Sequence, residues 1–133
     1  MPDLASLFAQ IKPLMARYQP PLVARRDEPG YYDLWSIKTL VIEGRKRKEV
    51  YFAGLIIQKD YVGFYFMPVY ADPEVKAFFA PQLLRLLKGK SCFHIKTLDG
   101  ELLAHLEDAL RKGFELYQQR GWVYGNGDHA LPP

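Results

Sequence analysis

Residues 49–67 read EVYFAGLIIQKDYVGFYFM and contain two runs of aromatic and β-branched residues separated by a Lys-Asp pair. Such runs predict strands at 49–58 and 61–67, and the Lys-Asp pair predicts a tight turn between them. Residues 31–42 have the same character, and residues 43–46 (EGRK) predict a hairpin loop. Three long strands that are joined by short loops must pair antiparallel.

Capping residues predict a helix on each side of this run of strands. Asp3 is placed to cap a first helix with its carboxylate, and Pro13 should kink or restart that helix because it lacks an N–H donor. Asp99 predicts the cap of a last helix, which Gly121 should end.

The remaining segments predict shorter elements. Residues 22–26 and 91–96 favour strands. Residues 72–74 (DPE) favour a helix start, because proline is common at the first helical position. Pro81 should split this helix in two, and Gly89 should cap its end.

Helices that are segregated from a run of strands indicate an α+β fold. We therefore expect an antiparallel β-sheet of about five strands, with the N- and C-terminal helices packed on one face. Residues 1–123 are interpreted as this single domain. Residues 124–133 lack hydrophobic periodicity and predict a loose C-terminal tail.

The composition excludes several classes of protein. The chain has 133 residues, a net charge of +3 and one cysteine, Cys92. It therefore has no zinc-type cysteine cluster, and a reducing, cytoplasmic location is expected. No apolar stretch approaches the length of a transmembrane helix, and the first residues lack the basic segment of a signal peptide, so we expect no membrane partner. The mild charge disfavours nucleic acid as a strong partner.

Three stretches of the chain resemble the YdhG-like family (domain of unknown function 1801). They are VYFAGL at 50–55, YVGFY at 61–65 and GKSCFHI at 89–95, and the similar pattern extends over residues 48–120. The resemblance implies a small α+β fold, and the frataxin-type relatives in the family imply iron handling. Many members carry a Gly-Met-Pro turn where this chain reads YYDLWS at 31–36, which departs from the family pattern.

Iron handling would require clustered carboxylates and imidazoles, which are the ligands that hard iron ions prefer. The first helix offers Asp3 alone, and the nearest strand brings Arg25 and Arg26 beside Asp27 and Glu28. Two acids next to two arginines are a poor cation site, so we expect no metal ligands here. Iron handling stays an alternative that rests on the resemblance.

Aromatic residues are unusually dense in the predicted sheet. A strand turns successive side chains to opposite faces, so both faces receive rings while the helices cover one face. The second face then presents Tyr31, Trp35, Tyr51 and Tyr65 to a ligand or to another copy of the chain. An exposed apolar patch marks a binding or oligomer surface. The alternative is that the first helix and the tail cover these rings.

The strand at 91–96 carries Cys92 and His94 on one face, beside a basic turn with Lys88 and Lys90. Same-face neighbours on one strand lie too far apart for a nucleophilic Cys–His pair. The lysines would lower the pKa of the thiol, whereas burial would make Cys92 a structural cysteine. A thiol enzyme centred on Cys92 is therefore a further hypothesis.

Residues 45–48 (RKRK) are the one basic run, and they precede Tyr51 and Phe52. Cations beside stacking rings are used to hold single-stranded nucleic acid. Four charges at a hairpin tip are more often a solvated loop, and they also protect a sheet edge against aggregation. Weak nucleic-acid binding through this hairpin stays an alternative.

The sequence contains no phosphate loop, dinucleotide fingerprint, zinc-protease motif or nucleophile elbow. We expect a non-catalytic module that binds a small molecule or a protein, including another copy of itself, with no catalytic residue, metal or cofactor. The binding residues are expected on the aromatic face and beside the Lys-Gly-Lys turn. They are Tyr31, Trp35, Tyr51, Tyr65, Lys90, Cys92 and His94.

Overall fold

The computed structural model describes residues 3–42 and 44–123, so the predicted tail at 124–133 lies outside the described residues. The helices are α1 (Leu4–Ala16), α2 (Met67–Ala71), a 3₁₀ helix (Pro73–Phe78), α3 (Pro81–Leu84) and α4 (Gly100–Gln119). The strands are β1 (Asp27–Glu28), β2 (Tyr31–Ser36), β3 (Leu40–Ile42), β4 (Arg45–Arg47), β5 (Val50–Ile57), β6 (Val62–Phe66), β7 (Leu87–Lys88) and β8 (Cys92–Ile95).

Six strands form the main sheet in the order β1-β2-β5-β6-β8-β7, and every neighbouring pair is antiparallel. The short strands β3 and β4 form a separate hairpin. The helix α1 packs against β5, β6 and α4. The predicted α+β fold, with its antiparallel sheet and terminal helices, is therefore confirmed.

Side-chain alternation along the strands builds the core on one face of this sheet. Tyr32, Leu55, Phe64 and Phe93 are successive Cα partners across β2, β5, β6 and β8, and each of them is buried. Burial of such apolar surface is the main favourable contribution to folding. The apolar stripes of α1 and α4 complete the core with Leu7, Phe8, Ile11, Met15, Leu102, Leu106 and Leu110.

A β-bulge between β2 and β5 determines where the rings of β5 point. Leu34 pairs with Ala53 but Trp35 pairs with Tyr51, so Phe52 is an extra residue in β5. Phe52 is fully buried in the core, whereas Tyr51 lies next to Trp35 with 4.7 Å between the ring centroids. A bulge re-aims a side chain, and this one turns Tyr51 to the face opposite the core.

The predicted strand at 31–42 is interrupted after Ser36, where β2 ends, and residues 40–42 form β3 outside the main sheet. The buried hydroxyl of Ser36 donates to the carbonyl oxygen of Trp122 and accepts from the N–H of Lys38. These bonds turn the chain out of the main sheet. The chain then continues into the separate β3–β4 hairpin.

The basic run also differs from its prediction as a loop. Arg45–Arg47 form β4 and pair with Leu40–Ile42. Gly44 makes the turn with a φ of +79°, which glycine adopts without strain. The side chains of β4 are exposed, so they project from a paired hairpin and not from a loop.

The predicted strand at 22–26 is reduced to a single isolated bridge. The carboxylate of Asp33 accepts the N–H groups of Arg25 and Arg26, each at 2.8 Å. These N–H groups are therefore engaged by a side chain and do not extend a ladder. Regular pairing along this edge begins only at β1.

The helix caps predicted at Asp3 and Asp99 are present, the restart predicted as one alternative at Pro13 is absent, and the helix end predicted at Gly89 is wrong. The carboxylates of Asp3 and Asp99 accept N–H groups in the first turns of α1 and α4. The helix α1 continues past Pro13 without a restart, because buried residues on both sides of the proline hold it against the core. Gly89 caps no helix: with a φ of +70° it makes the turn between β7 and β8. The segment 61–67 ends in α2 and not in the strand.

Gly113 lies in the middle of α4, where alanine would ordinarily stabilise a helix by about 1 kcal/mol. A Cβ atom there would lie 2.4 Å from Cζ of Phe66 and 2.8 Å from Cγ of Pro68. Because the Phe66 ring is fully buried and cannot move aside, Gly113→Ala should lower the free energy of unfolding by about 1–3 kcal/mol in urea denaturation.

Gly100 is the matched control, because a Cβ atom there meets no heavy atom within 4 Å. Gly100→Ala should leave the free energy of unfolding unchanged or raise it slightly. Equal stabilisation by both substitutions would contradict the close packing of α4 on the sheet.

Candidate functional site

The open face of the sheet, opposite the core, carries most of the predicted binding residues. Tyr31 and His94 lie in one cross-strand row, and Tyr65 and Cys92 are partners in the next row. The bulge adds Tyr51 to this face. The rings thus occupy both faces of the sheet, as the strand alternation predicts.

Two glycines let tyrosine rings lie flat on the open face. A Cβ atom at Gly54 would come within 1.7 Å of the Tyr51 hydroxyl oxygen, and one at Gly63 would come within 2.9 Å of the Tyr65 ring. Each ring therefore covers the backbone of a glycine. Both tyrosines are half-buried, so the open face presents less ring surface than the sequence predicts.

Neighbouring side chains cover other parts of this face. The guanidinium of Arg26 lies over the Tyr31 ring at 3.7 Å, and the Tyr61 ring stacks on His94 with 3.8 Å between centroids. The helix α1 packs on the core side, with its buried residues in the core cluster. The cover over these rings therefore comes from side chains on the open face and not from the first helix.

Beside Trp35 and Tyr51 the open face ends in a groove of about 650 Å³, which we call the aromatic groove. It lies between β5, the β3–β4 hairpin, α2 and the end of α4. Its rings are Trp35, Tyr51, Tyr70, Tyr117 and Trp122. Its charged side chains are Arg47, Glu49 and Arg120.

Both tryptophans of the chain line the aromatic groove. Trp35 packs against Tyr51 at 4.7 Å, and Trp122 contacts Tyr117 edge-on at 5.0 Å between ring centroids. The Tyr117 hydroxyl donates a hydrogen bond of 2.6 Å to the carbonyl oxygen of Tyr51. This bond joins the two ring pairs and fixes α4 to β5.

Exposed apolar side chains also concentrate at the aromatic groove. Val41 is 72% exposed and Tyr70 is 52% exposed, and they are two of the four large hydrophobic side chains that are exposed in the described part of the chain. Both line the groove. Apolar surface that gathers at a concavity is typical of a ligand site.

Positive charge predominates at the aromatic groove. Glu49 is paired with Arg25, and Arg120 lies 3.1 Å from the carboxylate of Asp72. Arg47 takes part in none of the ion pairs between described residues. The described acids near the groove are therefore already paired, while the guanidinium of Arg47 has no ion pair with a described residue.

One hydrogen-bond donor of the Trp35–Tyr51 pair has no acceptor among the described residues. The indole Nε1 of Trp35 is buried and has no partner among the described residues. Burial raises the pKa of the Tyr51 hydroxyl above its usual range, so this group stays protonated at neutral pH. An unsatisfied buried donor costs about 1–3 kcal/mol, so the packing of Trp35 against Tyr51 is retained at a cost in stability.

A second groove of about 320 Å³ lies beside His94. Its charged lining consists of Arg85, Lys88 and Lys96, and its described lining includes no acid. Desolvation lowers the pKa of His94, and Lys88 and Lys96 lower it further, so the imidazole is neutral at pH 7.

The structure thus divides the predicted site. Trp35 and Tyr51 line the aromatic groove, and Lys90 lies 5.7 Å from the ring of Tyr70, which also lines it. His94 lines the second groove. The other predicted residues, Tyr31, Tyr65 and Cys92, lie on the open face outside the lining of both grooves.

Tyr70, Arg120 and Trp122 are among the lining residues that the sequence does not predict. Tyr70 lies on α2, beyond the strand predicted at 61–67. Arg120 caps the end of α4, and Trp122 approaches the groove through the turn at Gly121, which has a φ of +72°. The signal available in the sequence was the second tryptophan, placed directly after a helix-ending glycine.

The open face offers little chemistry for a nucleophile or a metal. Burial raises the pKa of the Cys92 thiol, although a hydrogen bond with Tyr65 opposes this effect in part. The lysines of the turn therefore do not activate it. Across the described ranges, no group of three or more His, Cys, Asp and Glu residues is close enough to hold a metal ion.

Comparison of the chain with protein-family models, with curated proteins and with solved structures gives no match. The resemblance to the YdhG-like family therefore stays a prediction. Within the described part of the chain, no helix combines the length and the apolar character that a membrane crossing requires.

The half-buried thiol of Cys92 should react slowly at neutral pH, because its pKa is raised by desolvation and only the thiolate attacks a disulfide reagent. In the folded protein its rate with Ellman's reagent should keep rising above pH 9. In urea, the same thiol should follow the ordinary cysteine pKa of about 8.5. A rate in the folded protein that levels off below pH 8 would contradict the raised pKa and would revive the thiol-enzyme hypothesis.

Proposed function

We propose that this protein is a non-catalytic binding module that holds a small molecule with a flat apolar part in the aromatic groove. The observation that carries the proposal is the convergence of Trp35, Tyr51, Tyr70 and Trp122 on one concave surface. The strands β2 and β5 and the helix α2 supply the first three of these residues, and Trp122 follows α4, so residues that are distant in sequence meet there.

The dimensions and lining of the groove support a small-molecule ligand. Ligand pockets commonly measure about 300–1,000 Å³ and combine apolar walls with a few polar groups. The aromatic groove measures about 650 Å³ and adds two arginines to its rings. Rings of this kind bind a flat group by offset or edge-on packing, worth about 0.5–1.5 kcal/mol per pair beyond area burial.

The side chains of the groove favour binding over catalysis. Its described lining includes neither histidine nor cysteine, the side chains that most often move protons or attack substrates near neutral pH. Glu49, the acid of the lining, is engaged by Arg25. The groove therefore offers surface and charge to a ligand but few groups that would react with it.

Two finer expectations belong to this proposal. The similar residue pattern supports membership of the YdhG-like family, and the lone Cys92 supports a cytoplasmic location. A second copy of the chain is the other candidate occupant, since the exposed Val41 and Tyr70 would suit an apolar contact.

Binding of an uncharged planar probe tests the proposal. N-phenyl-1-naphthylamine should accept energy from Trp35 and Trp122, because both tryptophans line the groove. Tyr70→Ala removes an exposed ring from the groove and should weaken the binding of this probe by about three- to tenfold, as the loss of one ring contact predicts.

Phe78→Ala is the matched control, because Phe78 is 66% exposed but lies on the 3₁₀ helix outside the lining of this groove. It should leave binding of the probe unchanged. Equal weakening by both variants, or no energy transfer in the wild-type protein, would count against the groove. A tryptophan signal that changes with protein concentration alone would point to a second copy as the occupant.

A further inference from the structure

We infer that the aromatic groove recognises a nucleoside phosphate, with the base against the rings and the phosphate on Arg47. The inference rests on the proposed function and specifies the class of ligand. It joins two features that are separate in the sequence, the aromatic face and the basic hairpin.

The rings supply a surface on which a base can stack. Trp35 and Tyr51 pack against each other with their rings tilted by 35°, and Tyr70, which lines the same groove, is 52% exposed. Stacking of a base on an aromatic side chain contributes about tenfold or more to binding and tolerates any base, because every base has a π-face. The ring pair therefore selects planarity and not a particular base.

The hairpin supplies the charge for the phosphate. Arg47 reaches the groove from β4 and has no ion pair with a described residue. A guanidinium presents a planar fork of N–H donors that matches the oxygens of a phosphate. Arg45, Lys46 and Lys48 are exposed next to it and raise the positive potential at this end of the groove.

The acids of the region leave this charge uncompensated. Glu49 is held by Arg25, and Asp72 is held by Arg120. A phosphate at Arg47 would therefore meet no unpaired carboxylate among the described residues that line the groove. An uncharged aromatic ligand would leave Arg47 unused, and an aliphatic anion would leave the rings unused, so a base that carries a phosphate fits both features together.

A free nucleotide and a single strand of nucleic acid share this chemistry. The groove is open, so a strand could pass through it and place further phosphates on residues 45–48. The test therefore compares adenosine, adenosine 5′-monophosphate and an eight-residue oligodeoxyadenylate, with tryptophan fluorescence as the readout in low-salt buffer.

We expect adenosine 5′-monophosphate to quench the tryptophan emission and to bind about tenfold more tightly than adenosine, the typical contribution of one charged hydrogen-bond pair. Arg47→Ala should reduce this difference to about twofold or less. Arg85→Ala is the matched control, because Arg85 is an exposed arginine of the second groove and should leave the difference unchanged. Thermal unfolding checks that both variants are folded.

The oligonucleotide distinguishes a single strand of nucleic acid from a free nucleotide as the natural ligand. If a strand is the natural ligand, the oligonucleotide should bind more tightly than the mononucleotide, weaken steeply with salt, and lose this advantage when Arg45, Lys46 and Lys48 are all changed to alanine. If a free nucleotide is the ligand, the oligonucleotide and the mononucleotide should bind with similar affinity. Either result supports a base and a phosphate as the recognised groups.

Three results would overturn the inference, and they differ from failure of the proposed function. Equal affinity for adenosine and its monophosphate would show that the phosphate makes no favourable contact with the protein. If the difference in affinity between adenosine and its monophosphate is lost in Arg85→Ala but kept in Arg47→Ala, the phosphate binds in the second groove and not in the aromatic groove. If N-phenyl-1-naphthylamine binds but no adenosine compound does, the groove binds aromatic ligands other than nucleotides, and only the nucleotide inference fails. Absence of binding by every probe would refute the proposed function itself.

Discussion

The extra residue in β5 is the constraint on which the site depends. In a regular strand, the buried Ala53 would place Phe52 on the open face and Tyr51 in the core. The bulge reverses both, so Phe52 joins the buried rings while Tyr51 packs against Trp35. The carbonyl of Tyr51 also accepts the hydroxyl of Tyr117, so the same irregularity attaches the last helix to the sheet.

The position of α4 follows from close packing on the other side of the sheet. Gly113 lets this helix approach the Phe66 ring, because no side chain intervenes. Its C-terminal end then delivers Tyr117 and Trp122 to the wall of the groove. A small residue in the helix and an extra residue in the strand together produce a concave aromatic surface from elements that are separately ordinary.

Periodicity in the sequence was sufficient to predict antiparallel strands, both helix caps, and rings on two faces of the sheet. It was not sufficient to predict the bulge at Phe52, which shifts the pattern by one residue and buries this ring against Phe66, Phe114 and Tyr117. Nor did it predict the end of β2 at Ser36, whose hydroxyl bonds to Trp122, 86 residues further along the chain. The aromatic groove could therefore not be predicted as one unit, because long-range contacts place Tyr70 and Trp122 beside Trp35.

The most direct test of the aromatic groove as the binding site is a ¹H–¹⁵N correlation spectrum recorded with and without adenosine 5′-monophosphate. The chain has two tryptophans and hence two indole N–H signals, and both residues line the groove. We predict that both indole signals shift on addition of the nucleotide, together with the amide of Tyr51. Shifts confined to the amides of His94 and Lys96, with both indole signals unmoved, would contradict the account.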